Sequence, residues 1–163
     1  MIIDIKALEA DISREPQVID EKIIKIWDEI EIIVPKILDA KYVVLTGCGD
    51  SLFSAVAGEY MFERFAGTPS VARNAYEVSN YSTIPEKTLL IAISASGNTR
   101  VTLNAVKKAM NSGAYTLGIT CNRNGLLAKQ VEEKIILDVR DSTPVPAITS
   151  TVSYTHLTLP TTE

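Results

Sequence analysis

The residues best suited to chemistry are crowded into one short run, SASGNT, at positions 94–99. Ser94, Ser96 and Thr99 bring three hydroxyls, Gly97 brings a backbone with no Cβ, and a helix-like rhythm of apolar residues begins at Thr99. A helix start directs free N–H groups and a partial positive charge into the loop ahead of it. Hydroxyls and amides arranged this way form a nest for a small anion such as a phosphate monoester, with no lysine required. The helix dipole contributes only about 0.3–2 kcal/mol, so charge-assisted hydrogen bonds must carry most of the affinity. A plain helix cap accounts for one hydroxyl, but not for three together with a glycine.

Such a loop needs elements to hold it. Tyr42–Thr46, Ser70–Asn74, Thr88–Ser94, Tyr115–Thr120 and Lys134–Val139 read as five strands. Helical patterns lie between them: SLFSAVAGEYMFERFAG ending at Gly67, TRVTLNAVKKAMNSG, and the short GLLAKQV. Residues from Ile5 to Leu38 read as a helical lead-in, with a break expected at Pro16 in DISREP. Apolar strands alternating with helices predict an α/β protein, a doubly wound five-stranded parallel sheet in an αβα sandwich. In the flavodoxin-like order 2-1-3-4-5, ligands bind where strands 1 and 3 part at their carboxyl ends. The turns after those two strands are GCGDS, with Gly49, Asp50 and Ser51, and SASGNT.

Composition excludes several other classes. With 16 Lys and Arg against 20 Asp and Glu, the net charge of −4 does not suit a nucleic-acid surface. Apolar runs stop short of the ~20 residues of a membrane span, and no signal peptide is expected from the opening residues. Cys48 and Cys121 have no metal or redox spacing and are expected to be reduced, in a cytoplasmic protein. No metal site and no cofactor are expected. GCGDSL is not a dinucleotide fingerprint, because Leu52 stands where the third glycine belongs. A flavin carrier of the flavodoxin kind is disfavoured too, since its phosphate loop follows the first strand rather than the third.

GCGDSLFSA, ISASGNTRVTLNAVKKAMNSGAYTLGITCN and AITST together resemble the sugar isomerase (SIS) domain family. They are most similar to the first such domain in the isomerase half of glucosamine-6-phosphate synthases and their fructosamine deglycase and deaminase-like relatives. EADISREPQVI is similar to the helical lead-in of that half, so the resemblance spans residues 1–151. It implies a domain at 41–151 behind a lead-in at 1–40, binding a hexose or amino-sugar 6-phosphate.

By the same resemblance, Ser94, Ala95, Ser96, Gly97, Asn98 and Thr99 form the phosphate loop, and Ser51 also holds the phosphosugar. Ile148 and Ser150 match a later sugar-binding segment. Asp50 stands where the synthases carry threonine, and a carboxylate there has to face a hydroxyl or amine rather than the phosphate.

The resemblance places the catalytic glutamate and lysine in a second SIS domain and the histidine in a neighbouring subunit. This chain is therefore expected to bind phosphosugar without turning it over, and to pair with a second SIS domain or as a homodimer. Glu59 and Glu77 are the candidate acid/base groups within it, Glu77 matching a glutamate of the family. Arg100 is expected on the helix surface. A phosphosugar-sensing module without catalysis is the alternative, although the basic recognition helix of such regulators is missing from the first forty residues.

The final run, VSYTHLTLPTTE at 152–163, has no formal charge before Glu163 and resembles a translated sequencing adapter. It is expected to be non-native, which removes the sole histidine, His156, from the chemistry.

Overall fold

In the computed structural model, which describes residues 4–142, five strands form one parallel sheet in the order β2-β1-β3-β4-β5. The strands are β1 (Tyr42–Gly47), β2 (Ser70–Asn74), β3 (Thr88–Ile93), β4 (Tyr115–Thr120) and β5 (Glu133–Ile136). The helices are α1 (Ile5–Asp39), α2 (Asp50–Met61), α3 (Ala75–Asn80), α4 (Arg100–Asn111) and α5 (Leu126–Gln130).

The central strands β1, β3 and β4 are near-continuously apolar and buried on both faces, as parallel sheets require. Val43, Leu45, Leu89, Ile91, Leu117 and Ile119 pack with Val18, Ile26 and Ile33 of α1 and Ala55 of α2. Val44, Leu90 and Ala92 point the other way, onto Val78 of α3, Ala105, Val106 and Ala109 of α4, and Leu127 of α5. Period-two alternation along each strand thus divides the core into two layers.

Four differences from the sequence reading have physical causes. The lead-in is one continuous helix with Pro16 and Pro35 inside it, not two helices broken at Pro16. An interior proline costs about 3 kcal/mol, and here the chain is held on both sides of Pro16. Buried Val18 packs on the sheet, and buried Asp11 accepts hydrogen bonds from the Ser142 amide and hydroxyl at 2.6 and 2.7 Å. Second, the short α3 follows β2, started by Asn74, whose side chain accepts from the Tyr76 amide at 2.9 Å. Third, α2 does not run regularly to Gly67, because Phe62–Ala66 widen into a π-type turn. Fourth, β5 ends at Ile136, with one more backbone bond from Leu137 to Thr120 at 2.9 Å before Asp138 takes a φ of 48°.

Candidate functional site

Because β1 and β3 are parallel neighbours in register Thr46 to Ala92, their following turns leave the sheet at the same edge. One turn leads into α2 and the other into α4, on opposite faces, which opens the crevice expected at a switch point. Cys48 in the first turn lies 3.9 Å from the Thr102 hydroxyl in the first turns of α4, joining the two walls. The structure thus brings together Gly49, Asp50 and Ser51 with the Ser94–Thr99 loop.

Within the loop, the hydroxyls of buried Ser94 and half-buried Thr99 lie 3.1 Å apart. Thr99 is the N-cap of α4 and makes no side-chain bond to the helix amides. Its hydroxyl is paired to Ser94 across the loop instead. Exposed Ser96 accepts from the Asn98 amide at 3.3 Å, and the Gly97 amide donates to the Ser94 carbonyl at 3.0 Å, closing a tight turn. Gly97 has φ 65°, and a Cβ there would lie 2.9 Å from the Thr120 hydroxyl and 3.2 Å from the Gly125 Cα. The requirement for glycine therefore comes from the fold as well as from any ligand.

The loop is held from behind by the segment between β4 and α5, which the motif reading of the sequence did not single out. Asn122 Nδ2 donates to the Ser96 carbonyl at 2.9 Å, and the Leu127 amide donates to the Gly97 carbonyl at 2.8 Å. Asn98 is used structurally: its Oδ1 accepts from the Leu126 amide at 3.1 Å, and its Nδ2 donates to the Ser96 carbonyl at 3.1 Å. The signal in the sequence was the cluster T-C-N-R-N-G after β4, a third polar turn at the same sheet edge.

The first turn is built differently. Gly49, the N-cap of α2, has φ 58° and ψ −131°, a conformation reserved almost entirely for glycine. Asp50 and Ser51 begin α2, where a carboxylate complements the helix dipole.

The candidate acid/base groups fall in different places. Glu59 lies nine residues into α2, about 13 Å down the helix, and its Oε2 accepts from the Ala72 amide of β2 at 2.7 Å. Its carboxylate is thus committed away from the crevice. Glu77 is exposed in the first turn of α3, at the same sheet edge as the crevice but beyond β1, behind Asn74 of β2. Arg100 is exposed at the start of α4. Ile148, Ser150 and His156 lie outside the described residues. Among the described residues no group of three or more His, Cys, Asp or Glu side chains is placed to hold a metal ion, and no helix is long and apolar enough to cross a membrane.

The glutamine–fructose-6-phosphate aminotransferase of Methanothermobacter thermautotrophicus is 36% identical over 111 residues, covering 67% of this chain and 18% of that protein. The chain thus spans under a fifth of that curated relative. The C-terminal domain of glucosamine-fructose-6-phosphate aminotransferase from Francisella tularensis superposes with a TM-score of 0.81 at 18% identity, covering 93% of this chain and 45% of that one. The tagatose-6-phosphate ketose/aldose isomerase from Escherichia coli superposes with a TM-score of 0.71 at 20% identity, covering 93% and 45%. Both superpositions show the same fold. The model of the SIS domain matches residues 36–160, more than half of the sequence, and this chain belongs to the SIS domain family.

Proposed function

We propose that the crevice binds a phosphorylated sugar, a hexose 6-phosphate or amino-sugar 6-phosphate, with the phosphate on the Ser94–Thr99 loop. The chain then serves as the amino-terminal half of a synthase-like sugar isomerase, aminotransferase or deaminase of amino-sugar metabolism. One observation carries this reading. The paired Ser94 and Thr99 hydroxyls and the start of α4 share the sheet edge with the β1–α2 turn, in a member of the SIS family.

A phosphate dianion is recognised by several converging O–H and N–H donors. The Ser94–Thr99 pair is already oriented, so little side-chain entropy is lost when it turns to an anion. Asp50 and Ser51 on the facing wall suit the sugar end, where a carboxylate accepts from hydroxyls or an amine. The relative from Methanothermobacter carries fructose 6-phosphate in its name, in keeping with this substrate class. A second SIS domain or a second copy of the chain is the partner that completes a catalytic site. Localisation in the cytoplasm follows from such a role.

The commitment of Glu59 to the Ala72 amide favours, as a second reading, a module that senses phosphosugar without chemistry. An anchor that holds substrate and transition state equally does not accelerate a reaction. Calorimetric titration with glucosamine 6-phosphate, fructose 6-phosphate and the free sugars tests the binding. Phosphorylated sugars alone should bind, and equal affinity for free glucosamine would refute it. Turnover of fructose 6-phosphate with ammonia by the unaltered chain, lost in Glu77→Gln, would overturn the reading of this chain as a binding half or sensor.

A further inference from the structure

We infer that Asn122 is a positioning residue of the anion site, acting through the Ser96 carbonyl; this rests on the phosphosugar reading of the crevice. Three consecutive carbonyls of the loop are drawn to the end of β4 and the segment that follows it. The Ala95 carbonyl accepts from the Thr120 hydroxyl at 3.3 Å and the Cys121 amide at 3.2 Å. The Ser96 carbonyl accepts from Asn122 Nδ2 at 2.9 Å, and the Gly97 carbonyl from the Leu127 amide at 2.8 Å.

In a planar trans peptide the N–H points opposite to the preceding C=O. Drawing these carbonyls towards β4 therefore turns the amide of Ser96 the other way, while the Gly97 and Asn98 amides close the loop on the Ser94 carbonyl and Ser96 Oγ. Since β3 lies between β1 and β4, that other way is the crevice side. The bracket holds the carbonyl oxygens away from the anion's surroundings, which leaves the Ser94 and Thr99 hydroxyls and the Ser96 amide as the donors of the loop. A carbonyl swung into the crevice would repel a phosphate in a partly desolvated site.

Asn122 is the side-chain amide that reaches the loop from outside it, sharing the Ser96 carbonyl with Asn98 Nδ2 at 3.1 Å, and its other polar atoms are used close by. Its Oδ1 accepts from the Asn124 amide at 3.1 Å, its own amide donates to Thr120 Oγ1 at 3.1 Å, and its carbonyl accepts from the Gly125 amide at 2.9 Å. It orients the loop and does not touch the ligand.

Asn122→Asp separates the two halves of the carboxamide. It keeps an acceptor for the Asn124 amide and loses the donor to Ser96. Asn124→Asp places a similar charge on the exposed neighbour and keeps that donor. Inorganic phosphate and glucosamine 6-phosphate are titrated by calorimetry into the unaltered protein, Asn122→Asp, Asn122→Ala and Asn124→Asp.

Both Asn122 variants should lose about tenfold in affinity for both ligands, the effect of one hydrogen bond, while Asn124→Asp stays within about twofold. An Asn122→Asp protein that binds phosphate like the parent overturns the inference and leaves the phosphosugar reading intact. A parent that binds neither ligand defeats both. Should the variants not fold, the parent still decides. The Asn122 side-chain amide protons should exchange more slowly with solvent as phosphate saturates the site, and exchange indifferent to phosphate overturns the inference.

Discussion

The two turns that wall the crevice are alike in composition and unlike in how they are held. The Ser94–Thr99 loop is fastened by hydrogen bonds from Thr120, Cys121, Asn122 and Leu127, none of which belongs to its own crossover. The Gly47–Ser51 turn is shaped mainly by bonds close in sequence: the Leu52 amide donates to the Gly49 carbonyl at 2.9 Å and Ser54 Oγ to the Asp50 carbonyl at 3.3 Å, with the 3.9 Å contact of Cys48 to Thr102 reaching α4. An anion needs donors fixed in advance, because their preorganisation sets the affinity. A sugar end with variable hydroxyls is better served by a turn that can adjust. The difference teaches that the Ser94–Thr99 wall is specified by tertiary structure and the Gly47–Ser51 wall by local sequence.

The strongest way to break that contrast is to add one methyl group to each turn. Gly97→Ala puts a side chain at positive φ, with its Cβ 2.9 Å from the Thr120 hydroxyl and 3.2 Å from the Gly125 Cα. It should cost about 2–5 kcal/mol of stability and abolish phosphosugar binding. Gly49→Ala meets nothing within 4 Å and should cost only the conformational strain, about 1–3 kcal/mol. Denaturant unfolding of the two variants checks both values. Equal losses would mean that the bracing does not distinguish the turns.

Ligand binding sharpens the contrast at the next level. Ser96→Ala and Thr99→Ala should each weaken phosphosugar binding by about 1–3 kcal/mol per hydrogen bond lost to the anion. Asp50→Asn should leave inorganic phosphate affinity unchanged and weaken only the amino-sugar phosphate, by a few-fold, roughly the scale of one exposed charge contact. Calorimetry with the two ligands side by side separates these outcomes. A parallel loss for both ligands in Asp50→Asn would place Asp50 on the phosphate rather than on the sugar.

The smallest expected effect lies at the opposite edge of the sheet, where neither turn is involved. Burial raises the Tyr115 hydroxyl above its ordinary pKa, with the charges of Glu133 and Glu132 and the hydrogen bond to Glu133 Oε1 at 3.4 Å adding to it. A folded-state pKa above the unfolded one stabilises the protein fully below about pH 10. That contribution is lost as the pH rises through the folded value. Tyr115→Phe should flatten this alkaline loss in unfolding experiments above about pH 10 and leave phosphosugar affinity untouched at neutral pH.

The strand order and the pairing of the two polar turns were legible in the sequence because apolar runs and glycine–hydroxyl clusters are local signals. The bracket was not, since Ser96 and Asn122 are 26 positions apart and each alone is an ordinary polar loop residue. Pro16 was misread for the same reason: its local cost is visible in the sequence, whereas the tie between Asp11 and Ser142, 131 positions apart, is not. Asn98 could be placed in the loop but not given its use, because the amide it accepts from belongs to α5, at Leu126. Glu59 gave no sign that its partner would be a backbone amide of β2.

That partner has a consequence for the solution behaviour of the protein. β2 is an outer strand of the sheet, and an outer strand offers a row of amides and carbonyls to any other extended chain. Glu59 occupies the Ala72 amide in the middle of that row and leaves a negative charge over it. An incoming strand would have to displace a carboxylate to continue the ladder, so the glutamate works as a guard against edge-to-edge polymerisation. Glu59 therefore makes this edge a poor template for another extended chain, a consequence unrelated to sugar chemistry.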